Sequence, residues 1–156
     1  MIYSEKIREK IWSFITPIFP FLRDGLVRLG VLRHPGRQKY QLGWLAMGKT
    51  LSGLAEHLKQ YGFANHFIAW VDSDEVLGLR KRENFKYQYH LRVFNDGEIR
   101  GHYELTPESH PLDHFWDVGT EPRFEDFYAW LGDWVTRVKP KAAPTDVRPF
   151  SESIGS

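Results

Sequence analysis

The segment around Asn95-Asp96-Gly97 restricts the fold of this chain more than any other part of its sequence. Apolar and polar residues alternate on both sides of this tripeptide, which is typical of two strands joined by a tight turn. Two- and four-residue loops both pair Phe94 with Ile99 and mix apolar and charged side chains on each face. A three-residue loop with Gly97 in the left-handed conformation instead pairs Val93 with Ile99. We therefore predict the three-residue loop.

This register gives the hairpin one apolar face and one polar face. The apolar face carries Tyr87, Tyr89, Leu91, Val93, Ile99, Tyr103 and Leu105. The polar face carries Gln88, His90, Arg92, Arg100, His102 and Glu104. In the preceding strand, Arg80 and Arg82 are expected on the polar face. His90 is predicted to lie directly opposite His102, with Cβ atoms about 5 Å apart.

The other periodic segments predict an α+β fold. Residues 66–71, 75–82, 86–94 and 98–105 read as strands with short connections, which favours an antiparallel meander. With a further strand at 39–46, the sheet has four to five strands. A central helix capped by Thr50 and a C-terminal helix are expected on one face of the sheet. We predict that the C-terminal helix extends from Phe124 to Val138 and ends before Pro140.

The first part of the chain predicts a helical segment, residues 1–32, packed on an α+β core domain at 33–138. Residues 139–156 are expected to form a flexible tail. The longest uncharged stretch, residues 11–22, is broken by Pro17 and Pro20 and is too short to cross a bilayer. Apolar residues at helical spacing leave peripheral membrane contact by residues 4–32 as an open alternative to packing on the domain.

Composition excludes several classes of site. The chain of 156 residues contains no cysteine, which removes disulfide scaffolds, thiolate zinc sites and cysteine nucleophiles. We expect a cytoplasmic location, because no secretory signal is recognisable. Aromatic residues make up 15% of the chain, and the periodic segments assign about half of these rings to buried faces.

Charge is uneven along the chain. Residues 1–49 contain nine basic and three acidic residues, so the first third carries a positive excess and the remainder a negative one. Such an asymmetry indicates either an intramolecular match or an anionic partner.

Histidines between positions 90 and 114 form the first candidate site. His90, His102, Glu104, His110 and His114 would converge if a short helix near residue 110 folds over the polar face. Two imidazoles, a carboxylate and an open position suit zinc, manganese or another divalent ion that activates water, with Glu104 or Asp113 as ligand or base. A solvated histidine pair without metal is the structural alternative, and in that case no cofactor is expected.

The basic side chains of the same sheet face form the second candidate site. The proposed ligand-binding set is Arg80, Arg82, Arg92, Arg100, His90 and His102. Guanidinium groups bind phosphate or carboxylate, so an anionic ligand, a nucleic acid or an acidic protein partner would fit. Arg92 opposite Arg100 also destabilises the strand pair unless an anion or a carboxylate lies nearby. A solvated face without ligand is the alternative.

Residues 43–50 match the G-x-x-x-x-G-K-T pattern of phosphate-binding loops. A true phosphate loop follows a buried parallel strand, whereas residues 38–42 are mostly polar and the later strands read as antiparallel. We expect no nucleotide site here.

The sequence thus predicts a non-enzymatic binding module that uses the Arg/His face for an anionic ligand. The alternative is a metal-dependent hydrolase acting on phosphate esters. A third class is a structural or immunity-type partner protein that uses exposed rings such as Phe115 and Trp116.

Overall fold

A computed structural model describes residues 2–15, 17–31, 37, 40–65, 74–115 and 119–138. Helices occupy α1 (Ile2–Ile15), α2 (Phe19–Arg28), α3 (Leu51–Lys59), α4 (Pro111–Phe115) and α5 (Phe124–Leu131). Strands occupy β1 (Gln41–Leu45), β2 (Ala64–Asn65), β3 (Glu75–Arg82), β4 (Tyr87–Phe94), β5 (Glu98–Leu105) and β6 (Val135–Arg137). The predicted tail at 139–156, Trp116 and the predicted strand at 66–71 lie outside the described residues.

The strands form one antiparallel sheet of six strands in the order β2-β3-β4-β5-β1-β6. This confirms the α+β class, with a sheet slightly larger than predicted. The hairpin register is also confirmed, because Val93 pairs with Ile99 and His90 with His102. Gly97 has a φ of +82°, the left-handed conformation that the three-residue loop requires.

The hydrophobic core lies between the apolar face of the sheet and helices α3 and α5. Its buried side chains are Leu42, Leu54, Leu58, Phe63, Leu79, Tyr89, Leu91, Val93, Ile99, Tyr103, Phe127, Leu131 and Val135. Rings fill much of it, since Tyr89 contacts the rings of Tyr103, Phe127 and Trp130 at centroid distances of 4.8, 5.6 and 4.8 Å. The central helix begins as predicted, because the Thr50 side chain accepts a hydrogen bond from the backbone N–H of Gly53.

The C-terminal helix is shorter than predicted. It ends at Leu131, where Gly132 takes a φ of +51° and a short 3-10 turn, Gly132–Trp134, follows. Val135 then pairs with Leu45, so β6 adds a sixth strand next to β1. The prediction that the helix continues to Val138 is wrong, because the hydrogen bonds that β1 offers outweigh the helical spacing of the apolar residues.

Two polar side chains of α1 contact the domain. Arg8 donates a hydrogen bond to the backbone carbonyl of Ser109 at 2.9 Å, and Glu9 forms an ion pair with Arg82 at 3.1 Å. Several apolar side chains of both helices are exposed, while Trp12 and Leu26 are half-buried. None of the helices in the described part of the chain is long and apolar enough to span a membrane.

Candidate metal centre

Much of the polar face of the sheet is buried. Alternation along β4 and β5 directs polar side chains of these strands to the face opposite the hydrophobic core. The buried polar residues on or beside this face are Gln88, His90, Arg92, Glu98, His102, Glu104, Thr106, Glu108 and Ser109. Buried polar and charged groups are costly unless they find partners, so their contacts determine what this face can do.

Glu104 lies at the centre of a cluster of nitrogen donors. Its Oε1 accepts a hydrogen bond from the Gln88 side-chain amide at 2.7 Å and lies 3.6 Å from His90 Nδ1. Its Oε2 lies 2.9 Å from His102 Nε2 and 3.5 Å from His114 Nδ1. Three imidazoles therefore surround one buried carboxylate.

The charge of the Glu104 carboxylate is strongly favoured. Burial by itself raises the pKa of this group, but the charges of His102 and His114 and the hydrogen bonds from His102 and Gln88 lower it to about 2. A buried carboxylate that stays ionised requires positive charge close by. Protons on the imidazoles or a bound cation can both supply that charge.

Strand pairing sets the geometry of the histidines. His90 and His102 are directly opposite residues of β4 and β5, and their ring centroids are 5.2 Å apart with the planes at 73°. Among the described residues, His90, His102 and Glu104 form the group whose ligand atoms all lie within 4.8 Å of one another. Two imidazole nitrogens and a carboxylate oxygen are a donor set that zinc accepts, so the residues present fit such an ion.

Helix α4 brings His114 to this cluster, whereas His110, the residue before the helix, does not join it. His114 Nδ1 lies 2.8 Å from the backbone carbonyl of Leu105 as well as 3.5 Å from Glu104. His110 is directed elsewhere, and its Nδ1 lies 2.9 Å from the Ser109 hydroxyl. Asp113 is half-buried in the first turn of α4. Of the five metal ligands predicted from the sequence, His90, His102 and Glu104 lie together, and His114 lies next to them.

A carboxylate lies beside each of the four predicted arginines. Arg80 pairs with Glu108 at 3.0 Å, and Arg82 pairs with Glu9. Arg92 lies 3.6 Å from Glu75, and Arg100 lies 2.8 Å from Glu98. The repulsion expected between Arg92 and Arg100 is therefore relieved within the chain itself.

The sequence reasoning overlooked two sets of partners. Gln88 was placed on the polar face but not in the site, although the register sets it directly opposite Glu104. Arg37 was not singled out, and its guanidinium contacts Asp74, Asp96 at 2.6 Å and Glu98 at 2.5 Å. No local pattern indicates the Arg37 cluster, because its members come from three separate segments.

Residues 43–50 do not form a phosphate-binding loop. The segment begins in β1, whose two neighbours are both antiparallel to it. Lys49 forms an ion pair with Asp133 at 2.8 Å and lies 4.5 Å from the Trp134 ring centroid, while Thr50 caps α3. Each polar residue of the pattern therefore has a structural role.

The chain matches no protein-family model, and neither a curated protein nor a solved structure is significantly similar to it.

Proposed function

We propose that this protein binds a divalent transition-metal ion, with zinc the preferred ion, through His90, His102 and Glu104. The observation that carries the proposal is the fully enclosed Glu104 carboxylate, which stays ionised and faces nitrogen donors from β4, β5 and α4. A dication would compensate this charge and use the lone pairs of the histidines, so it would replace protons in the cluster.

The surroundings of the three ligands support the same function. Gln88 donates to Glu104 and fixes the orientation of its carboxylate, as residues behind metal ligands commonly do. His114 lies beside the three ligands, with its Nδ1 3.5 Å from Glu104 and 2.8 Å from the backbone carbonyl of Leu105. His90, His102 and Glu104 are 2–3% exposed, which favours a retained ion over an open centre that turns over a large substrate.

Two other functions have less support. Anion binding by Arg80, Arg82, Arg92 and Arg100 competes with the carboxylates already beside them. Hydrolysis of a phosphate ester would need a route from solvent to the buried ligands. Both remain proposals, as does the cytoplasmic location.

Metal titration tests the proposal directly. Protein without a histidine tag is stripped with chelator, titrated with zinc and separately with manganese in competition with a chromophoric chelator, and analysed for metal content after desalting. We expect one zinc per chain and weaker binding of manganese, because two of the three donors are imidazoles. Retained zinc near zero overturns the proposal.

Paired histidine variants locate the site. His102→Gln should weaken zinc binding at least about a hundredfold, since it removes a direct ligand. His110→Gln is the matched control, because His110 lies nearby in sequence but contacts Ser109 instead of the cluster. Circular dichroism confirms that both variants fold. Equal zinc affinity of His102→Gln and the wild type would place the metal elsewhere.

A further inference from the structure

The two N-terminal helices expose large apolar side chains to solvent. Helices α1 and α2 are joined by a turn at Pro17 and Ile18. Arg8 and Glu9 of α1 form polar contacts with the domain, and Trp12 and Ile15 are half-buried. In an ordinary amphipathic helix the large apolar side chains face the core and the polar ones face water. Here several large apolar side chains face water instead.

Six large apolar side chains of α1, α2 and the turn between them are between 51% and 80% exposed. We define the apolar N-terminal surface as Ile7, Ile11, Phe14, Ile18, Phe21 and Leu22. Single exposed apolar residues are common on proteins, but a contiguous set indicates a binding surface. Two phenylalanine rings, Phe14 and Phe21, are its most exposed members.

The charges around this surface favour an anionic occupant. No charged residue occurs between Lys10 and Arg23. The exposed basic residues around this stretch include Lys6, Lys10 and Arg28, and the exposed acidic ones are Glu5, Glu9 and Asp24. Glu9 pairs with Arg82 and Asp24 with Arg23, which leaves a positive excess near the surface. A symmetric dimer through this surface would bring the same basic groups together, which is unfavourable. A membrane with anionic lipids offers both an apolar interior and negative headgroups.

We propose that the apolar N-terminal surface binds anionic lipid membranes, with both helices lying in the headgroup region and the rings of Phe14 and Phe21 inserted among the acyl chains. The lysines at its border contact lipid phosphates. This surface is separate from the metal-binding cluster, so neither proposal depends on the other.

Vesicle co-sedimentation tests the membrane proposal. The full chain is mixed with vesicles of phosphatidylcholine alone or with about 30% phosphatidylglycerol. We expect at least about tenfold stronger binding to the anionic vesicles and a decrease in that binding as the salt concentration rises. Equal binding to both vesicle types, or sedimentation with neither, overturns the proposal.

Substitutions of exposed residues identify the surface without disturbing the core. Phe14→Ser combined with Phe21→Ser should weaken vesicle binding at least about tenfold, because two rings no longer leave water. Met47→Ser is the control, since Met47 is a fully exposed apolar residue outside the N-terminal helices. Binding that is unchanged in the double variant contradicts the proposal.

Replacing the bordering lysines tests the electrostatic part. Lys6→Gln with Lys10→Gln should weaken binding to anionic vesicles several-fold and leave weak binding to neutral vesicles unchanged. Lys59→Gln, on the exposed side of α3, is the matched control. Analytical ultracentrifugation tests whether the surface binds a second copy of this chain instead. That alternative holds if the wild type is a dimer, the double phenylalanine variant is a monomer, and neither protein binds vesicles.

Discussion

The substitution Glu104→Gln, which replaces the central carboxylate of the cluster by an amide, should lower the free energy of unfolding. The loss should be large near neutral pH and small in acid. The surroundings of Glu104 lower its pKa from an ordinary value of 4.5 to about 2. This difference of about 2.5 units corresponds to about 3 kcal/mol of folding free energy when the group is ionised in both states. Because the pKa in the folded protein is the lower one, the contribution is complete above pH 4.5 and is lost as the pH falls towards 2.

Urea unfolding of the metal-free protein measures this contribution. The glutamine side chain keeps the size of glutamate but cannot carry its charge, so near pH 7 the variant should be less stable than the wild type by about 3 kcal/mol. Near pH 3, between the two pKa values, the difference in unfolding free energy should fall to less than half of its value near pH 7. At each pH, the unfolding free energy of the variant is subtracted from that of the wild type. This difference cancels the contribution of the other acidic groups, which both proteins share.

The matched control is a substitution of an exposed carboxylate. Glu56→Gln changes a carboxylate that is 75% exposed on α3, and its effect should stay within about 0.5 kcal/mol at both pH values. A Glu104→Gln variant that is as stable as the wild type near pH 7 would refute the reasoning. A loss that is the same near pH 3 and pH 7 would also refute it, because the effect would then come from packing and not from charge.

Three further substitutions test the fold by urea unfolding. Gly43→Ala should lower the free energy of unfolding by several kcal/mol, because the new Cβ would lie 2.1 Å from the Thr136 carbonyl oxygen. Gly48→Ala is the control, since Gly48 has open space around it and the substitution should cost only about 1 kcal/mol of backbone strain. Equal losses in the two variants would contradict this. Thr50→Ala should cost about 1 kcal/mol by removing the helix cap, and no loss would show that the cap is dispensable. Phe127→Ala should cost about 3–5 kcal/mol as a fully buried ring, and a loss below 1 kcal/mol would contradict its place in the core.

The strands around the Asn95-Asp96-Gly97 turn could be predicted from the sequence because neighbouring residues determine their pairing. The turn residues and the alternation on both sides of it accept only one register, and that register sets His90 opposite His102. Pairing of the preceding strand follows from the same alternation, since Arg80 lies opposite His90. Wherever side-chain period and turn chemistry agree, the faces of neighbouring strands are determined together.

The end of the chain and the partners of the arginines depend on contacts between distant segments. Residues 132–138 satisfy a helical spacing, and only the free edge of β1 determines that Val135 continues as a strand. Likewise, nothing near Arg80 in the sequence indicates Glu108, and nothing near Arg82 indicates Glu9. A face that reads as basic along its own strands is therefore paired with acids from the loop after β5 and from α1.

The hydrogen bonds of Gln88 explain why this face behaves as one interior layer. Its amide nitrogen donates to Glu104, so its oxygen is left to accept from Arg80 at 3.3 Å, and Arg80 also contacts Glu108. Each buried charge thus orients the next one, and the amide has only one orientation that satisfies both neighbours. A cation bound at Glu104 would meet a negative charge, whereas an anion bound at Arg80 would have to compete with Glu108. The connectivity of the layer is therefore the physical reason for preferring a metal ion over an anionic ligand.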